Sequence, residues 1–155
     1  MVQTFYEYME DFLRSKTARD VVEVGSDIAL RLALRLSPFC QTFYSVNFPS
    51  DHAMMMGWYD MHKDMGYENI RLLSGNAISL SRLITRADII ILQNVLLDPT
   101  GEDTALMLKY KYGTLECSRD QWEELMKKFR QVEEDGYREF LKVANPGFVI
   151  SFGRP

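Results

Sequence analysis

Cysteine is scarce in this chain of 155 residues. Cys40 and Cys117 stand far apart and in no Cys-x-x-Cys spacing, so two buried, reduced thiols are expected rather than a disulfide framework or a thiolate metal centre. An excess of basic residues is missing too: 18 Lys and Arg stand against 22 Asp and Glu, a formal net charge of −4. Without a Lys/Arg block, a domain built to neutralise phosphates is disfavoured, and nucleic acid is not an expected partner. No apolar run approaches the length of a membrane span. The acidic, amphipathic start "MVQTFYEYMEDFLRSK" is unlike a signal peptide, which makes the cytoplasm the expected compartment. His52 and His62 lack metal-ligand spacing and read as surface residues. Internal repeats, low-complexity stretches and linkers are absent, so one domain over 1–155 is expected, with a helix in 1–19 and a core in 20–155.

What is present is ordinary in amount and regular in order. Hydrophobic residues make up 46% and charged residues 26%, as in a globular protein able to bury a core. Phe5, Tyr8, Met9, Phe12 and Leu13 recur at helical spacing behind a Thr4–Glu7 capping box. "DVVEVG" reads as a strand, and "SDIALRLALRL" as a helix capped by Ser26 or Asp27, with Pro38 beyond it. "QTFYSVNF" is a second strand and "DHAMMMGWYDMHKDMG" a second helix ended by Gly66. "NIRLLSGNA" and "ADIIILQNVL" are further strands. Thr104 to Cys117 is ambiguous between helix and strand. "SRDQWEELMKKFRQVEEDGYREFLKVA" is a long amphipathic helix with a potential irregularity at Gly136, and "FVISFG" is the last strand. The alternation predicts an α/β fold: a Rossmann-like, doubly wound, mostly parallel sheet in the order 3-2-1-4-5 with helices on both faces.

In such sheets ligands bind beyond the carboxyl ends of the strands, where the strand order reverses. Those ends carry Gly25, Ser26 and Asp27; Asn47; Gly75, Asn76 and Ala77; and Gln93 and Asn94. Small and hydrogen-bonding residues there suit a polar, adenosine-like ligand, and no catalytic triad or metal cluster accompanies them. Glu23, inside an apolar strand, is awkward to bury without a partner. Asp27 reads equally as a helix cap and as a ligand contact. Asn47 and Asn76 taken singly read as turn residues, and the Met54–Met56 run with Trp58 and Met61 as core packing.

From Asp20 through the fifth strand, the order of elements resembles the core of class I S-adenosylmethionine-dependent methyltransferases. "VVEVG" is similar to that family's first strand, with Glu23 and Gly25 in place. The acidic residue that holds the ribose there falls on Asn47, and the adenine contact after the third strand on Asn76 and Ala77 of "SGNA". "ADIIILQNV" and "NPGFVISFG" resemble the fourth strand and the Pro-Gly entry to the fifth. The resemblance implies S-adenosylmethionine as cofactor, bound by Glu23, Gly25, Ser26, Asp27, Asn47, Asn76, Ala77 and Gln93. The family's Gly-x-Gly-x-Gly has become Gly25-Ser26-Asp27-Ile28-Ala29, which puts a charged side chain where backbone usually approaches the ligand. Each acid-to-Asn exchange weakens binding by about 1 kcal/mol, the net scale of one hydrogen bond.

Two functions follow. One is a methyltransferase of unknown substrate, which needs little acid–base machinery because the sulfonium is an activated methyl donor. The other is a non-catalytic methyltransferase-like binding or regulatory protein that oligomerises. A nicotinamide dehydrogenase is disfavoured by the lack of Gly-x-Gly-x-x-Gly. Residues 98–117 are expected over the pocket mouth, with Tyr110 and Tyr112 as substrate contacts. With the sequence reaching Pro155 just after the fifth strand, the family's sixth and seventh strands are not expected. The apolar edge of "FVISFG" then predicts a homodimer.

Overall fold

The computed structural model describes residues 4–27, 29–93 and 101–152. Its elements run α1 (Phe5–Lys16), β1 (Asp20–Val24), α2 (Arg31–Leu36), β2 (Thr42–Asn47), α3 (Pro49–His62), β3 (Ile70–Ser74), β4 (Ile89–Gln93), α4 (Glu102–Lys111), α5 (Arg119–Val143) and β5 (Phe148–Phe152). The five strands form one sheet, β3-β2-β1-β4-β5, and every neighbouring pair is parallel. The order expected from the sequence is the one observed.

Alternation along each strand sorts the core into two layers. Val21, Ile89 and Ile91 face α1, α2 and α3, where Met9, Leu13, Leu32, Leu36 and Met55 close over them. Val22, Val24, Ile90 and Leu92 face the opposite layer, packed with Leu80, Phe140 and Val143. That second layer is α5 together with the 3-10 turns of Ala77–Arg82, joined by a buried carboxylate. Glu139 accepts the Ser81 backbone N–H at 2.8 Å and the Ser81 hydroxyl, with the Lys142 ammonium at 3.3 Å. The Ser81 hydroxyl, its backbone N–H and Lys142 hold this carboxyl below the usual range against the opposing effect of burial.

Backbone requirements explain several sequence signals. The capping box at α1 is formed, with Thr4 and Glu7 exchanging side-chain to backbone hydrogen bonds. Gly66 is left-handed (φ 95°) and ends the turn that follows α3. At the entry to β5, a Cβ on Gly147 would lie 2.6 Å from the Asp88 carbonyl oxygen. The Phe148 N–H donates to that same oxygen at 2.9 Å. Asp88, opening β4, accepts the backbone N–H groups of Arg19 and Asp20 and so ties β4 to the start of β1.

Other expectations are corrected. The first inter-strand helix does not begin at Ser26 or Asp27: the chain turns with Leu30 N–H on the Asp27 carbonyl, Leu30 takes left-handed angles (φ 54°), and α2 starts only at Arg31. The segment left ambiguous is helical from Glu102 to Lys111, and α5 runs unbroken through a buried Gly136. The methionine run is not core: Met55 is buried, but Met54, Met56, Trp58 and Met61 are exposed. Consecutive helical residues lie about 100° apart, so only one of three adjacent methionines meets the sheet, and α3 has no layer outside it among the described residues. His52 and His62 are half-buried rather than solvated, and both cysteines are unpaired and half-buried rather than fully buried. Burial, with Asp20 nearby, pushes the Cys40 thiol up to about 12, so it stays protonated.

Candidate functional site

The corner where β1 and β2 end is a network of polar contacts. Glu23 is buried, with 3% of its surface exposed, and accepts the Ser26 hydroxyl at 2.8 Å. Burial raises its pKa from the usual carboxylate range to about 7; the Asp27 charge also raises it, and the hydroxyls of Ser26 and Ser45 oppose the rise. Ser45 stands directly opposite Glu23 in the strand register. Its hydroxyl influences the carboxyl but is buried without a hydrogen bond of normal geometry, a donor left over. Sequence reading passed over Ser45; the available signal was its place two residues before Asn47, on the face Glu23 shares.

Asn47 closes the corner. Its amide nitrogen donates to the Ser26 carbonyl at 2.6 Å, and its Oδ1 accepts the Phe48 N–H at 2.9 Å. One amide N–H and one lone pair remain, so the side chain pins the loop after β1 while keeping one donor and one acceptor. Gly25, in left-handed conformation (φ 75°), is exposed above this corner and donates its N–H to the Val46 carbonyl. The glycine is needed because a Cβ disfavours that conformation.

The remaining candidates are arranged around the same sheet edge. Asp27 is paired with Arg31, its Oδ2 3.1 Å from Nε and its Oδ1 3.5 Å from the Arg31 N–H. These contacts tie Asp27 to the first residue of α2, but it is not that helix's cap: the N-cap position is Leu30, which makes no side-chain capping hydrogen bond. At the end of β3, the Gly75 N–H donates to the Asn47 carbonyl at 3.0 Å, linking the two strand ends. Asn76 accepts the Ile78 N–H at 3.1 Å and caps the turn that follows, while Ala77 packs half-buried against the second core layer. Gln93 is the last residue of β4; its side chain, like Ile28, Asn94 and residues 95–100, lies outside the described residues. Within the segment expected over the pocket mouth, the described residues 101–117 include α4, which packs on α5. Tyr110 lines a groove between α4 and α5 with Leu106 and Leu125, and Tyr112 is 72% exposed. These contacts do not bring either tyrosine to the β1–β2 corner.

A cavity of about 350 Å³ opens at the other end of the sheet, among Lys16, Arg19, Arg86, Asp88 and Phe148. It lies at the amino ends of β1, β4 and β5, away from the reversal of strand order that makes a ligand crevice. Among the described residues no group of three His, Cys, Asp or Glu is placed to hold a metal ion, and no helix is long and apolar enough to cross a membrane.

The sheet order is that of the class I S-adenosylmethionine-dependent methyltransferase fold. A solved structure assigned as a caffeoyl-CoA O-methyltransferase from Staphylococcus aureus aligns over 86% of this chain at 11% identity and a TM-score of 0.51. An rRNA methylase from Streptococcus thermophilus aligns over 72% at 14% identity and 0.49. A methyltransferase from Geobacter sulfurreducens aligns over 72% at 10% identity and 0.48. The chain spans 64%, 73% and 55% of the Streptococcus, Staphylococcus and Geobacter chains. In sequence, no family model and no curated protein matches.

Proposed function

We propose that this chain binds S-adenosylmethionine at the carboxyl edge of β1–β4 and is a methyltransferase whose substrate is unknown. One observation carries the reading: a buried carboxyl, Glu23, held by Ser26 with an unpartnered Ser45 hydroxyl opposite it, beside the reversal of strand order between β1 and β4. These residues fit the cofactor. A buried carboxylate favours the cationic methionine end, and Asn47 retains a donor and an acceptor for a ribose hydroxyl. Asn76 and Ala77 line the adenine side, with Gly25, Ser26, Asp27 and Gln93 toward the methionine end. When bound, the cofactor supplies an activated methyl group. The chain's own task is then to orient donor and acceptor and to exclude water.

In this reading the chain is a single cytoplasmic domain, with the α1 segment preceding a core from residue 20. It takes a small-molecule cofactor rather than nucleic acid, and it self-associates as a homodimer. The second reading, a non-catalytic binding or regulatory protein, is favoured by the Asp27–Arg31 pair in the loop that is glycine-rich in the family.

Calorimetric titration with S-adenosylmethionine and S-adenosylhomocysteine, with NADH as control, tests the proposal. Both sulfur ligands are expected to bind and NADH not. Asn47→Ala is expected to weaken binding by about tenfold to a hundredfold, since a ribose hydroxyl loses its partner and the loop after β1 its anchor. Silence of both ligands at millimolar concentration overturns cofactor binding. Binding without methyl transfer to any acceptor class moves the conclusion to the second reading.

A further inference from the structure

An apolar row runs along the solvent side of α3. Met54 is 52% exposed, Trp58 41%, Met61 68% and, in the turn just beyond, Met65 70%. Their spacing, four, three and four residues, keeps them on one face over three turns. Gly57 lies beside them, and a Cβ built there meets nothing within 4 Å. Trp58 is held in place: its ring stacks on His62 at 5.9 Å between centroids, and His62 Nδ1 lies 2.8 Å from the Trp58 carbonyl oxygen. A rigid tryptophan next to an open glycine, flanked by adaptable methionines, has the composition of an interface centre.

We propose that this face binds a second copy of itself, the two α3 helices crossing antiparallel about a two-fold axis between Gly57 and Trp58. The row is self-complementary in that register. Each Trp58 covers the other copy's Gly57, Met54 meets Met61, and the small Ser50 receives Met65. The acidic first turn and basic last turn of α3 agree with it, because Asp51 comes beside the second copy's His62 at the rim. An isologous contact requires such pairing of one patch with itself. A strand added beyond β5 would join the opposite edge of the sheet from α3, so it would leave this row open. The inference rests on the self-association proposed above and places it on α3 rather than on the β5 edge.

The row is short, at the low end of stable interfaces, so sedimentation equilibrium across micromolar concentrations is the suitable measurement. The wild-type chain is expected to approach twice its 18.1 kDa mass. Met61→Glu is expected to lower dimer affinity by at least a hundredfold, and Gly57→Glu likewise, while Met56→Glu, exposed on another side of α3, stays dimeric. Circular dichroism confirms that each variant is folded. Ser151→Pro, which blocks the free edge of β5, is expected to leave the dimer intact. A dimer that survives Met61→Glu but is lost with Ser151→Pro overturns the α3 interface and leaves self-association standing. A monomer at every concentration overturns both. S-adenosylmethionine titration of Met61→Glu separates these outcomes from the cofactor reading, since that variant is expected to bind the cofactor as wild type does.

Discussion

Glu23 links proton binding to folding. Its pKa is near 7 in the native chain, against 4.5 for an ordinary glutamate. Between those values the folded state holds a proton that the unfolded state has released. Stability from this group is therefore full below pH 4.5, falls as pH rises toward 7, and is constant above. Glu23→Gln, which mimics the protonated form, is expected to stabilise the chain at pH 8 by on the order of 3 kcal/mol and to have little effect at pH 4.5. Urea unfolding of both proteins at several pH values measures this; equal differences at all pH values would show that the carboxyl is not the titrating group. Asn47 acts differently, by joining the loop after β1 to β2 through the Ser26 carbonyl. Asp27 is engaged by Arg31 in an exposed pair, a contact of modest worth.

The elements meet through close backbone approaches, and two glycines separate cost from tolerance. Ala at position 147 brings its Cβ against the Asp88 carbonyl oxygen, part of the backbone that joins β4 to β5. Ala at position 75 would meet Leu83 Cδ1 at 2.7 Å, the flexible end of a side chain. Gly147→Ala is expected to destabilise by about 2–3 kcal/mol and Gly75→Ala by roughly 1 kcal/mol or less, because a rotamer yields where a carbonyl does not. Chemical denaturation of the two variants ranks them; the reverse order would contradict the packing. At α2, Leu30 occupies a left-handed conformation while fully buried. Its burial is worth about 1.5–3 kcal/mol and exceeds the roughly 1–2 kcal/mol cost of that conformation, which is how a leucine sits where glycine would be unstrained.

Across the whole molecule, stability is concentrated on the sheet and its two covering layers. β1 and β4 are central and their apolar side chains are fully buried on both faces. Among the described residues α4 has no buried residue, and its main packing is on α5. Hydrogen exchange is expected to be slowest in β1, β4 and the α5 segment around Phe140, and much faster in α4. Equal protection of α4 and β4 would mean that α4 has a further packing partner. The exposed Met54–Trp58–Met61 row belongs to this scale as well, since a partner subunit would add protection to α3 that Met61→Glu removes.

The sequence by itself determined the strand–helix alternation, the sheet order and the strand ends at which Gly25, Asn47, Asn76 and Gln93 lie. Those signals are local: β-branched runs, glycine and proline punctuation and capping residues encode backbone geometry within a few positions. Only the tertiary structure decided what those residues touch. The row of methionines looked like core because hydrophobicity does not tell whether another layer covers a helix. Asn47 reads in sequence as a turn residue or a ribose contact; its hold on the Ser26 carbonyl is not legible there because the two are distant in sequence. The late start of α2 at Arg31 was hidden because its cause, the left-handed Leu30, has no sequence signature: leucine takes that conformation only where burial outweighs the strain.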